Sequence, residues 1–91
     1  MIEKKIAELV RNSIEKSGYD GAGLEPSIEI PSNEEFGDYA TNIALKIGSK
    51  FDENPRTSAE KLKENFQKDY FADISIDGPG FINFTLSKDF V

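Results

Sequence analysis

The sequence predicts an α+β fold, a two-layer sandwich in which an antiparallel four-stranded sheet packs against about three helices, in the order α-β-β-α-α-β-β. Three observations carry this. Ile2, Ile6, Leu9, Val10 and Ile14 recur at helical spacing near the start. Near the end, Asp73-Ile74-Ser75-Ile76-Asp77 and Ile82-Asn83-Phe84-Thr85-Leu86 alternate on either side of Gly78-Pro79-Gly80, the pattern of two strands joined by a turn. Between them, Asn54-Pro55 places a good N-cap residue ahead of the residue best tolerated at the first helical position.

The first helix is expected from about Ile2 to Ser17, with Glu3, Lys4, Glu8, Arg11, Asn12 and Lys16 outward and Gly18 ending it. Residues 18–26 read as a loop. Ser27-Ile28-Glu29-Ile30 reads as a short strand with Ile28 and Ile30 inward, stopped by Pro31. Glu35-Phe36-Gly37 is expected to return as the second strand. Asp38 would cap a second helix whose buried stripe is Ala40, Ile43, Ala44, Ile47 and Phe51. Ala59, Leu62 and Phe66 line the third helix, after which Tyr70 and Phe71 tuck back into the core. The Gly-Pro-Gly connection should be looser than a two-residue turn, which would splay the hairpin here.

Ninety-one residues make one domain with one marginal core. The chain has no cysteine and no histidine, so disulfides, thiolate metal sites and the commonest general base are excluded. The interspersed charges at the N-terminus exclude a signal peptide there, and a cytoplasmic protein is the default. Seventeen acids against eleven bases give a net charge of −6, which disfavours a grip on nucleic acid by this chain alone. A domain that reads one base while a larger module holds the backbone is still allowed.

No glycine-rich phosphate loop precedes a helix. Glu34, Glu35 and Asp38 lack the spacing of a calcium loop and read as a solvated turn with a helix cap. Tyr19 and Tyr39 have no candidate base nearby in sequence. The unusual feature is the last strand, where Phe81 and Asn83 share one face. A ring beside a carboxamide can stack on a flat heterocycle and hydrogen-bond its edge. On pattern alone, the favoured reading is the plainer one, in which Phe81 packs under a helix while Asn83 caps a loop.

Phe36-Gly37-Asp38-Tyr39-Ala40-Thr41-Asn42-Ile43-Ala44, then Asn54-Pro55-Arg56 and a helix with Ala59, then Gly78-Pro79-Gly80-Phe81-Ile82-Asn83-Phe84, occur in this order. Together they resemble the N-terminal additional domain of bacterial arginyl-tRNA synthetase, over residues 1–87. The resemblance implies a domain ahead of a class I catalytic core, touching the elbow of tRNA(Arg). It implies that Phe81 and Asn83 read a D-loop base and that Gly80 leaves room for the base and sugar. The parent ligase would use ATP and magnesium and act as a cytoplasmic monomer, while this fragment carries no cofactor and no activity. Lys88-Asp89-Phe90-Val91 would begin a linker to the catalytic domain. The alternative from another class is a stand-alone acidic protein-interaction module with Phe81 as its hydrophobic anchor.

Overall fold

The computed structural model describes residues 2–19 and 24–88. Its elements are helix α1 (Ile2–Lys16), strand β1 (Ile28–Glu29), a 3-10 turn (Glu34–Phe36), strand β2 (Tyr39–Thr41), helices α2 (Ile43–Phe51) and α3 (Pro55–Glu64), a second 3-10 turn (Lys68–Tyr70), and strands β3 (Phe71–Asp77) and β4 (Phe81–Leu86). This is the expected α+β order. The four strands form one antiparallel sheet in the order β1-β2-β4-β3. Part of the loop expected at 18–26 and all but Lys88 of the linker expected to begin at 88–91 fall on residues 20–23 and 89–91, outside the described residues.

One apolar core joins the layers. Ile6, Leu9, Val10 and Ile14 of α1 meet Ile43, Ala44 and Ile47 of α2, Ala59 and Leu62 of α3, and Ile74, Ile82 and Phe84 of the sheet. The Phe84 ring packs against those of Phe66 and Phe71, at 5.3 and 5.0 Å, and the latter two also meet edge-on at 6.0 Å. One buried and one part-buried hydrogen bond lock α1 and the residue after it to the end of α3, where helical carbonyls are short of intrahelical donors. Ser13 Oγ donates to the Leu62 carbonyl at 2.6 Å, and Asn65 Nδ2 donates to the Lys61 carbonyl at 2.9 Å and to Ser17 Oγ at 3.1 Å.

Several local expectations are corrected. Glu35-Phe36-Gly37 is not a strand, because β2 comes later, at Tyr39–Thr41. Gly37 adopts φ 95° and presses on β4, where a Cβ would come within 2.7 Å of the Phe84 carbonyl oxygen. Asp38 does not cap α2. Its backbone N–H donates to the Phe84 carbonyl at 2.8 Å and its carboxylate accepts from the Leu86 N–H at 2.9 Å, which fastens β2 to β4. Ala40 therefore belongs to the sheet rather than to α2, and Phe51 is exposed. Ile30 falls beyond a two-residue strand and is 73% exposed. β3 begins two residues early, because a bulge between Phe71 and Asp73 breaks the alternation that would reveal its start.

The third helix begins as expected. Asn54 Oδ1 accepts from the Arg56 N–H at 2.9 Å, with Pro55 in the first turn. Asn42 at the head of α2 makes no such bond, and its Oδ1 is buried without a partner among the described residues. Asn54→Ala should therefore cost about 1 kcal/mol. Asn42→Ala should cost much less, since it removes an orphaned acceptor. Urea melts of the two variants check this; equal losses would contradict it.

Tyr19, which looks isolated in sequence, donates its hydroxyl to Glu53 Oε1. Ser58 Oγ donates to the same oxygen at 2.7 Å, and Lys61 Nζ to Oε2 at 2.8 Å. The Lys61 hydrogen bond first, then those from Tyr19 and Ser58, hold the Glu53 carboxyl down at about 2, from an ordinary 4.5. Burial, followed by the bond to Glu53, raises the Tyr19 phenol. A carboxyl lowered by folding contributes stability above its unfolded pKa and loses it as pH falls through the folded value. Denaturant midpoints should thus fall between about pH 4.5 and 2, and Glu53→Gln should flatten that part of the curve; parallel curves for the two proteins would overturn the assignment.

Candidate nucleic-acid interface

The sheet has two faces. Ile28, Thr41, Ile82, Phe84 and Ile74 point toward the helices, as their register and burial require. On the opposite face, Asn83 of the inner strand β4 stands between Ala40 of β2 and Ser75 of β3, each directly across from it. One row away, Phe81 stands across from Asp77; one row the other way, Thr85 stands across from Asp73. Glu29 lies across from Ala40 at the β1 edge. Glu29, Asp73 and Asp77 are exposed, and none of the residues assigned to this face by register is a cation.

Phe81 is 37% exposed and stands outside the buried core cluster. Asn83 is only 6% exposed, yet its amide forms no hydrogen bond with any described residue, and its polar atoms are not among those sealed from solvent. A carboxamide so deeply set ordinarily has a partner. This one keeps two donors and an acceptor open toward the face. Asn83 therefore caps no loop among the described residues.

The turn that leads into Phe81 is braced by α3. Asp77 and Phe81 pair across a three-residue connection, looser than a two-residue turn as expected. Arg56 Nη1 donates to the Gly78 carbonyl at 2.8 Å. Gly80 is buried, and a Cβ there would come within 3.0 Å of the Pro55 Cβ. Its missing side chain thus makes room for α3, a packing role that the sequence reading, which reserved the space for a base and sugar, did not anticipate. Arg56 sat in a stretch singled out in the sequence, but only the structure gives it a task. That Ser75 and Ala40 stand beside Asn83 is not legible in the sequence, because it depends on strand order.

The chain matches the family model described as arginyl tRNA synthetase N terminal domain over residues 4–86. The chain belongs to the arginyl-tRNA synthetase N-terminal domain family. The arginine–tRNA ligase of Thermotoga maritima is 37% identical over 89 residues, covering 97% of this chain and 15% of that relative. That of Staphylococcus aureus strain JH9 is 35% identical over 92 residues, covering 99% and 17%. The crystal structure of arginyl-tRNA synthetase from Plasmodium falciparum superposes with a TM-score of 0.85 at 31% identity, covering 98% of this chain and 16% of that one. The Thermus thermophilus arginyl-tRNA synthetase shares the fold, with a TM-score of 0.77 at 16% identity over 96% of this chain and 14% of that one. As a member of the arginyl-tRNA synthetase N-terminal domain family, the chain spans 15% and 17% of the length of the two ligases whose sequences are compared above.

Among the described residues, no group of three or more His, Cys, Asp or Glu side chains is placed to hold a metal ion. Asp38 of the acidic turn is already engaged by Leu86. No described helix is long and apolar enough to cross a membrane.

Proposed function

We propose that this chain is the tRNA-contacting N-terminal domain of an arginine–tRNA ligase, in which Phe81 and Asn83 read one D-loop base of tRNA(Arg). The single observation that carries the reading is the unpartnered amide of Asn83, deeply set yet open, on the same face as the exposed Phe81 ring. A loop base splayed out of its stack lies against the Phe81 ring, and the Asn83 carboxamide offers a donor and an acceptor to its edge. Ile82 and Phe84 anchor the strand from behind, while Arg56 and Pro55 fix the turn ahead of it. Gly80 serves this site through the turn.

Arginylation itself belongs to the rest of the ligase. ATP and magnesium do not fit these residues, which offer neither a metal-ligating group among those described nor a phosphate loop. No chemical step passes through this domain, which places the substrate. The family match favours this reading over a stand-alone acidic interaction module.

The test pairs tRNA(Arg) with its counterpart carrying an abasic D-loop nucleotide, arginylated at subsaturating tRNA by the complete ligase and its Phe81→Ala variant. Losing the base should slow the wild type and leave the variant almost unaffected. If the two enzymes are slowed equally, Phe81 does not read that base.

A further inference from the structure

We infer that Ala40 and Ser75, the residues flanking Asn83 on neighbouring strands, complete a base-reading site, Ser75 as its second hydrogen-bonding group and Ala40 as its bare floor. This rests on the reading of Phe81 and Asn83 given above and specifies how that site discriminates among bases.

Paired residues on adjacent antiparallel strands have Cα atoms about 4.5–5.5 Å apart, so a row of three spans roughly the width of one heterocycle. The row is Ala40, Asn83, Ser75. Ser75 is exposed, and its hydroxyl makes no hydrogen bond with any described residue. That hydroxyl can donate or accept, complementing the amide beside it. Ala40 is 8% exposed and adds nothing beyond a methyl group, so the side of Asn83 away from Ser75 is level. Phe81 rises one row along β4, about 6.8 Å away at strand spacing. A base leaning on that ring thus brings its edge over Asn83 and Ser75. The carboxylates of Glu29, Asp73 and Asp77 share this face, so the ligand is an uncharged base presented ahead of its phosphate.

Two substitutions in the complete ligase separate the parts. Ser75→Ala removes one hydrogen bond to the base edge, and Ala40→Leu fills the floor. The probes are four tRNA(Arg) transcripts that differ only at the D-loop base, with arginylation kcat/KM read at subsaturating tRNA. Ser75→Ala should narrow the ratio between best and worst base by about 3- to 10-fold. Ala40→Leu should slow the best transcript to the level of Phe81→Ala while the folded domain keeps its melting transition. If Ala40→Leu fails to fold, Ser75→Ala alone decides. Unchanged base ratios and rates in both variants, with Phe81→Ala impaired, would overturn this inference and leave the base reading standing. A silent Phe81→Ala would remove the base reading itself.

Discussion

Phe81→Ala in the complete ligase should lower arginylation kcat/KM at subsaturating tRNA by roughly 5- to 150-fold. A base stacked on an aromatic ring is worth about 1–3 kcal/mol, and each 1.36 kcal/mol is a factor of ten. The loss should fall mainly on KM, because on the proposed reading the domain only holds tRNA and so binds substrate and transition state alike. Stability should barely change. The ring is more than a third exposed and stands outside the core cluster, so its removal opens no cavity. A melting transition within about 1 kcal/mol of wild type, together with the kinetic loss, confirms the separation. A wild-type rate at subsaturating tRNA would remove the stacking role.

Phe84→Ala should do the opposite. This ring, three residues along the same strand, is fully buried and held against Phe66 and Phe71. Truncating a buried Phe typically costs about 3–5 kcal/mol, the transfer of the ring plus the cavity it leaves. A domain of this size has on the order of 5–13 kcal/mol in total, so roughly a quarter or more of it would vanish. In urea the midpoint should drop sharply at constant slope. At low temperature, where the variant still folds, the base face should keep its affinity because Phe81 and Asn83 are untouched. A loss below about 1 kcal/mol would show that the ring does not centre the core.

The two variants follow from the alternation of β4, the part most legible in the sequence. Period-two patterning placed Phe84 inward and Phe81 and Asn83 outward, and helical spacing with the Asn54-Pro55 start placed α1 and α3. β2 was hidden because it has only three residues, and Ala40 extends the helical spacing of Ala44 backward by one turn. Asp38 has the look of a cap, yet its carboxylate is taken by an N–H 48 residues away, a contact no local rule reveals. Likewise, Gly80 could be read as bare but not as bare for Pro55, since the α3 start lies 25 residues upstream of it. Ser75 and Ala40 meet at Asn83 only because β4 is inserted between β2 and β3.

The three carboxylates around the open face have a consequence for competition inside a cell. Most RNA that drifts past a protein leads with its phosphates, and this face turns them away before contact, over a Debye length of about 8 Å. On the proposed reading, RNA that arrives phosphate-first should therefore compete poorly for the site. A cationic reader would gain affinity for its target but spend much of its time occupied by the wrong chains. On the proposed reading, occupancy is reserved for a nucleotide already turned outward, and raising the ionic strength should loosen that restriction rather than the stacking contact itself.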